Sequence, residues 1–223
     1  MNSFKTVISE SRRGAFLMTK REYLASITSF RSACSTLKSL VGHGGDGSAL
    51  DTEISSWRLT TVPLSQLADD DQVGVGASCN TFRRCFLIMP MPCNEKVPTT
   101  DKFALLAASL LYNIALAHHL IGFTNAEGEV RHLNKAMKLY RKASELLHRL
   151  ETTSDGAALM LATANNMASV SLSTMDLKAF LTYRNMMNRF LSITTTTGSF
   201  HCAFFAGNLT ANSSAHQRPA PAA

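Results

Sequence analysis

The chain has little charge and no long hydrophobic run. Only 17% of its 223 residues are charged, no stretch of about 18 apolar residues occurs, and Met1 to Phe16 contain no apolar segment of signal-peptide length. We therefore expect no membrane contact and an intracellular protein, cytoplasmic or nuclear. Because 45% of the residues are apolar, the chain can still bury a packed core.

Cysteine, metal and catalytic motifs are also scarce. The five cysteines are odd in number and irregularly spaced, which argues against a disulfide framework and favours a reduced environment. The sequence contains no Cys-x-x-Cys pair, no His-Glu-x-x-His motif and no Gly-x-Ser-x-Gly turn. His118 and His119 are adjacent, so on a helix they point about 100° apart and do not readily share one metal ion. We expect no metal, no cofactor and no catalytic residue, and an enzyme without known motifs is the least favoured alternative.

Apolar residues recur at three- and four-residue spacing along most of the chain, which is typical of α-helices that pack against neighbours. Short polar breaks divide this pattern into pairs of helices. The predicted fold is therefore all-α and consists of about three antiparallel helical hairpins. The expected helices span residues 4–18, 20–40, 103–121, 131–150, 156–173 and 176–193.

Glycines and capping residues predict where several helices begin and end. Gly14 is expected to interrupt the first helix and Gly122 to end the third, because glycine is a poor helix former that often follows a helix. Ser154 or Asp155 is expected to cap the fifth helix, and Asp176 the sixth, through side-chain oxygens that accept backbone N–H bonds.

These elements divide the chain into five parts. Residues 1–41 are a first hairpin, 42–100 a Gly-rich, acidic, irregular insertion, 101–193 two further hairpins, 194–207 an apolar capping segment and 208–223 a disordered tail. Within the insertion, residues 82–89 are predicted to form a short strand bounded by prolines. This strand either pairs with the apolar residues 200–206 as a small sheet, or those residues pack separately as a cap. The insertion is itself expected to contribute a small β-hairpin.

Small and aromatic residues recur at matching positions in the three hairpins. A small residue, an aromatic residue four positions later and a small residue three further on occur on each second helix, except that Met186 replaces the last one. The sets are Ser26, Phe30 and Ala33; Ala136, Tyr140 and Ala143; and Ala179 and Tyr183, behind Gly14, Ala115 and Ala168 on the first helices. The chain thus resembles tetratricopeptide-repeat (TPR-like) helical proteins of a short type over residues 8–40 and 103–192. The resemblance implies a scaffold that binds a protein or peptide in a concave groove.

Polar and apolar side chains on two predicted first helices are the candidates for partner binding. Asn113 and Asn166 occupy matching positions, two residues before Ala115 and Ala168. Either these asparagines contact a bound peptide, or they form hydrogen bonds with the backbone between hairpins. His119 either faces the groove or packs inside. The full set of candidate partner contacts is Ser109, Tyr112, Asn113, Leu116, His119, Asn165, Asn166 and Ser169.

Charge is distributed unevenly although the net charge is only +6. Residues 42–80 contain six acidic residues against Arg58, whereas residues 131–150 contain six basic residues against Glu145. One hypothesis is that the acidic segment lies across the basic helix. A nucleic-acid-binding repeat protein that uses this basic face is the alternative function. Because no nucleic-acid recognition motif accompanies the face, a protein or peptide partner is favoured and nucleic acid is expected to be an unlikely partner.

Overall fold

The computed structural model describes residues 3–42, 57–64, 81–90, 99–124, 128–150, 153–196 and 204–209. Within these ranges the protein is mostly helical and has one small antiparallel sheet, which confirms the predicted fold class. The elements are α1 (Ser3–Thr19), α2 (Tyr23–Gly42), β1 (Trp57–Pro63), β2 (Arg84–Pro90), α3 (Thr99–Thr124), α4 (Glu129–Leu147), α5 (Ser154–Ser173) and α6 (Leu177–Thr196). A 3-10 turn, His148–Leu150, follows α4, and residues 204–209 form a short helix, here called the cap helix.

The six long helices pack as three consecutive hairpins. Helix α1 packs on α2, α3 on α4, and α5 on α6. The hairpins are stacked in chain order, because α2 also contacts α3 and α4 also contacts α5. The first helices of the hairpins, α1, α3 and α5, contact one another in the same order. They form one face of the stack, and the second helices, α2, α4 and α6, form the other.

The first and third hairpins share the same three-residue turn. In the first, Glu22 N–H donates to Leu17 O (3.0 Å) and Arg21 N–H to Met18 O (3.0 Å). In the third, Asp176 N–H donates to Ser171 O (2.8 Å) and Met175 N–H to Leu172 O (3.0 Å). Arg21 (φ 62°) and Met175 (φ 58°) are left-handed, as the Schellman motif at a helix end requires.

Both predictions about glycine are wrong. Helix α1 runs through Gly14, and α3 continues past Gly122 to Thr124. At each site glycine is required by close packing, because an added Cβ would lie 2.7 Å from the Phe30 ring at Gly14 and 2.8 Å from Leu133 at Gly122. Each close approach joins the two helices of one hairpin.

The aromatic residues expected between the helices differ in burial. Phe30 and Tyr140 are fully buried, together with the small residues on either side of them. Tyr183 is only half-buried, and its hydroxyl accepts a hydrogen bond from Arg141 Nε at 3.1 Å. The third hairpin therefore packs less tightly around its aromatic residue than the first two.

Helix caps agree with prediction at one of two sites. The Asp176 carboxylate accepts from Ala179 N–H (3.0 Å) and begins α6, as predicted. At α5 the cap is Thr153, whose hydroxyl accepts from Gly156 N–H (3.1 Å), and not Ser154 or Asp155. Asp155 instead accepts a hydrogen bond from the β1 backbone, Leu59 N–H, at 3.2 Å.

The predicted strand exists, but its partner differs from the expected one. Strand β2 pairs antiparallel with β1, with Thr61 opposite Phe86, so both strands lie within the insertion. Residues 204–206 are helical and pack over Phe82, which corresponds to the capping alternative. The acidic residues of 42–80 and the tail beyond Leu209 lie outside the described residues.

By length and composition, residues Asp101–Thr124 of α3 satisfy the criteria for a membrane-crossing helix. In this fold, 83% of the most apolar part of that helix is buried inside the molecule. Helices at the centre of a protein core pass the same test, and α3 contacts α1, α2, α4, α5 and β2. The position of α3 is that of a central core helix.

Candidate functional site: a groove across the first helices

The first helices form a groove that holds a segment of the same chain. This segment, residues 81–90, contains β2 and is here called the groove strand. Met89 lies near Arg12 of α1 (Nη2 to Sδ, 3.7 Å), Phe86 is bound by Asn113 of α3, and Phe82 is bound by Asn166 of α5. The groove strand therefore crosses all three hairpins.

Asn113 pairs with both backbone groups of Phe86. Its Oδ1 accepts from Phe86 N–H at 3.0 Å, and its Nδ2 donates to Phe86 O at 2.8 Å. A side-chain amide offers the same donor and acceptor as a peptide group. Asn113 consequently takes the place of a neighbouring β-strand at one residue.

Asn166 repeats this arrangement at Phe82, four residues earlier. Its Oδ1 accepts from Phe82 N–H at 2.8 Å, and its Nδ2 lies 3.3 Å from Phe82 O. The asparagines occupy matching positions on α3 and α5, so the groove contacts the strand at a regular interval. Arg12 is the matching residue on α1, because it precedes Gly14 by two residues as Asn113 precedes Ala115.

The asparagines protect the open edge of the small sheet. Leu64 N–H donates to Arg83 O at 3.1 Å, so residues 83 and 85 bond to β1, and residues 82 and 86 direct their backbone groups the other way. An unpaired strand edge attracts other strands. In this fold that edge faces α3 and α5, and the two carboxamides satisfy it at residues 82 and 86.

Asn166 is the centre of a buried hydrogen-bond network. Its Nδ2 lies 3.0 Å from Tyr112 Oη and 3.1 Å from Tyr140 Oη, and Tyr112 donates in turn to Phe82 O at 3.0 Å. Tyr140 Oη lies 3.3 Å from His119 Nδ1. This contact extends the network from Asn166 to His119.

The titratable groups of this network stay uncharged. Burial lowers the pKa of His119 to about 3, with a smaller contribution from the positive charge of Arg83. Burial also raises the pKa values of Tyr112 and Tyr140 well above their usual range. Among the described residues, His119 Nε2 has no hydrogen-bond partner. The groove thus presents neutral donors and acceptors to the strand.

Aromatic contacts hold the side chains of the groove strand. The Phe86 ring meets Tyr112 edge-on, with centroids 5.1 Å apart. The Phe82 ring lies 5.5 Å from Phe204 and 4.9 Å from Phe205 of the cap helix. The cap helix is itself attached to the groove, because Asn208 Nδ2 donates to Asn165 Oδ1 (2.8 Å) and Arg184 Nη2 to Leu209 O (2.9 Å).

All eight residues predicted to contact a partner are at most 4% exposed. Asn113, Asn166 and Tyr112 bind the groove-strand backbone, and the Ser169 hydroxyl lies 3.1 Å from that of Thr81. Asn165 links Asn166 to the cap helix. The remaining three lie deeper: His119 meets Tyr140, Ser109 donates to Leu106 O of its own helix, and Leu116 is part of the apolar core.

The residues that bind from the strand side were not predicted. Phe82 and Phe86 lie in the predicted strand, but their pairing with α5 and α3 spans 84 and 27 residues of sequence. Arg12 was detectable, since it occupies the same place before Gly14 that the two asparagines occupy in later hairpins. The predicted strand, residues 82–89, contains no acidic side chain with which Arg12 could be expected to pair, so this contact could not be inferred.

The described residues contain no arrangement suited to metal binding, because no group of three His, Cys, Asp or Glu side chains comes together among them. His118 Nδ1 and His132 Nδ1 lie 3.0 Å apart as a pair only. The Cys85 thiol is fully buried, and burial raises its pKa, which keeps it protonated and a poor nucleophile. The polar contacts described in the groove are hydrogen bonds to the backbone of the groove strand.

No family model, no curated protein and no solved structure matches this chain.

Proposed function

We propose that the protein is a TPR-like scaffold that binds an extended segment of a protein partner in the groove of its first helices and catalyses no reaction. The observation that carries this proposal is the pairing of Asn113 and Asn166 with both backbone groups of Phe86 and Phe82. Every extended peptide carries these backbone groups, and β-type recognition obtains its affinity from them.

Three features of the fold support the TPR-like part of the proposal. The hairpins are stacked in chain order, the first and third have the same Schellman turn, and Phe30 and Tyr140 are buried at matching positions. A single hairpin cannot bury its apolar face alone, whereas stacked hairpins bury it and leave one face for a ligand.

The groove strand indicates the kind of segment that fits. The partner residues facing Asn166 and Asn113 must each have a backbone N–H, which excludes proline at both positions. Aromatic side chains suit these positions, since Phe82 packs against Phe205 and Phe86 packs against Tyr112. We infer an extended segment with two aromatic residues four positions apart.

The groove strand acts as a built-in occupant of the site. A tethered ligand has an effective concentration on the order of millimolar, so a free partner of equal affinity binds weakly while the strand is in place. A partner gains access when its own contacts exceed those of the groove strand, or when the strand is displaced.

The proposal is tested by adding a fluorescent peptide of residues 79–92 to the full-length protein. A release variant, Phe82→Asp with Phe86→Asp, loses the apolar contacts of its own strand but keeps the groove intact. We expect this variant to bind the peptide at least about tenfold more tightly than wild type, because internal competition is removed. A milder release variant, Phe86→Ala, is measured in parallel in case the double variant does not fold.

Matched asparagine substitutions locate the binding site. Asn113→Ala with Asn166→Ala, placed in the release variant, removes peptide binding if the groove is the site. The control is Asn134→Ala with Asn185→Ala, two exposed asparagines on second helices, and it leaves binding unchanged. If a release variant keeps wild-type helix content but does not bind the peptide, the groove strand is a fixed part of the core and the proposal is wrong.

A further inference from the structure

The second helices carry charge of almost one sign. Helices α2 and α6 contain no acidic residue, and α4 contains only Glu129 and Glu145. The same helices carry ten basic residues: Arg31 and Lys38 in α2; Arg131, Lys135, Lys138, Arg141 and Lys142 in α4; and Lys178, Arg184 and Arg189 in α6. The face of the stack formed by the second helices is therefore strongly basic.

Four of these cations form a line on α4, here called the basic stripe. Arg131, Lys135, Lys138 and Lys142 follow one another at intervals of four, three and four residues, the repeat that places side chains on one side of a helix. The stripe is about 16 Å long. Arg131, Lys138 and Lys142 are exposed and Lys135 is partly exposed.

The stripe is not neutralised within the described part of the chain. The single ion pair found there is Arg13 with Glu10 on α1. Like charges four residues apart on a helix repel each other, and the stripe contains two such pairs, Arg131 with Lys135 and Lys138 with Lys142. Local helix stability is thus lower than it would be with neutral side chains, and it rises when anions bind along the stripe.

We propose that the basic stripe binds the phosphate backbone of a nucleic acid without reading its sequence. Regularly spaced cations on a convex helix match a linear array of phosphates, and lysine and arginine both bind phosphate. Tyr140, the one Phe, Tyr or Trp residue of α4, is fully buried and cannot stack on bases. This inference does not depend on the groove, because the groove strand packs on the first helices.

Two other anionic partners fit the stripe less well. A membrane surface favours exposed apolar side chains among the cations. On α4 the two exposed large apolar residues, Val130 and Leu146, lie at opposite ends of the helix, and only Leu146, four residues after Lys142, continues the line of the stripe. An acidic protein partner usually adds a buried anchor residue at the centre of its interface. The pocket between α5, α6 and the cap helix is not lined by the stripe.

The test is the salt dependence of binding of the full-length protein to a fluorescent DNA duplex of about 20 base pairs. Four phosphate contacts predict a slope of log Kobs against log salt concentration of about −3.6. Replacing Lys135, Lys138 and Lys142 with Gln reduces that slope by about 2.7 and raises Kd by at least tenfold at low salt, that is, by at least about 1.4 kcal/mol.

A charge-matched control separates the stripe from net charge. Lys5→Gln, Arg13→Gln and Lys20→Gln remove the same charge from exposed positions on α1 and the turn that follows it, and leave the slope nearly unchanged. Equal losses in the two triple variants would show that only net charge matters and overturn the proposal. Tighter wild-type binding to polyglutamate, or to vesicles rich in phosphatidylserine, than to the duplex would also overturn it.

These experiments test the proposal for the groove and the proposal for the stripe separately. Asn113→Ala is expected to leave duplex binding unchanged, and the stripe variant is expected to leave peptide binding by the release variant unchanged. If Asn113→Ala weakens duplex binding as much as the stripe variant does, then the duplex binds at the groove and not at the stripe.

Discussion

The groove strand is attached at two equivalent places whose surroundings differ. At Phe86, Asn113 makes two backbone hydrogen bonds, and its side chain has no other hydrogen-bond partner among the described residues. At Phe82, Asn166 makes the same two contacts and also meets Tyr112, Tyr140 and Asn165. One asparagine serves only the strand, whereas the other also joins α3, α4 and α5.

Because of this difference, the Asn113 contact serves strand binding alone, whereas the Asn166 contact also stabilises the packing of the helices. Buried polar networks rigidify a fold when every member is satisfied and are costly when one member is removed. The α5 end of the groove therefore couples strand binding to the packing of three helices. The α3 end binds the strand with little consequence for its neighbours. The predictions below test this asymmetry, from the largest expected effect to the smallest.

Asn166→Ala is expected to destabilise the protein by about 4 kcal/mol, because it leaves Phe82 N–H without a buried partner and removes one hydrogen bond from each of two buried tyrosine hydroxyls. Urea denaturation measures the change. Asn188→Ala, an exposed asparagine on α6, is the matched control and should change stability by less than about 0.5 kcal/mol. If Asn166→Ala destabilises the protein less than Asn113→Ala does, the proposed difference between the two ends of the groove is wrong.

Acid is expected to weaken the α5 end of the groove. The pKa of His119 falls from 6.5 to about 3 on folding, so below pH 6.5 the unfolded state binds a proton that the folded state does not. Stability is full above that pH and decreases by about 1.4 kcal/mol per pH unit on acidification, or about 3 kcal/mol by pH 4.5.

Urea denaturation across this pH range measures the acid effect. His119→Gln should give a shallower acid dependence, and His118, whose pKa burial lowers to about 4, supplies the remainder. An acid dependence identical to that of wild type would show that His119 does not carry it.

Asn113→Ala is expected to cost about 2 kcal/mol, because only Phe86 N–H and its carbonyl lose a partner. Hydrogen exchange should show faster exchange at the Phe86 amide and unchanged protection at Phe82. Equal acceleration at both amides would mean that the strand leaves the groove as one unit and that its two attachments are not separable.

Tyr140→Phe removes one hydroxyl from the network and is expected to cost about 1 kcal/mol. Tyr183→Phe, which removes a half-buried hydroxyl bonded to Arg141, should cost less. The comparison is made by thermal denaturation at neutral pH. A larger effect at Tyr183 would locate the critical network in the third hairpin and not around Asn166.

The helices could be predicted from the sequence because their periodicity is local. All six appear close to their expected positions, and the equivalence of Asn113 and Asn166 was visible from their spacing to Ala115 and Ala168. Gly14 and Gly122 were misread, because low helix propensity and close packing both select glycine and only coordinates distinguish them.

What fills the groove could not be predicted, because strand pairing is non-local. The partner of β2 is β1, and no local pattern distinguishes this pairing from one with residues 200–206. The asparagines satisfy a strand edge that exists only after the sheet forms. The sequence therefore predicted the groove surface but not the segment bound to it.

The two asparagines fix the number of residues that an extended segment must have between its two contacts with the groove. A strand advances about 3.3 Å per residue, so Phe82 and Phe86 hold α5 and α3 in register across about 13 Å. Adding or deleting one residue between them reverses the direction of every later backbone group, and the second carboxamide then meets the wrong edge. The groove therefore accepts changes of side chain between the two contacted residues, but not a change in the number of residues that separate them.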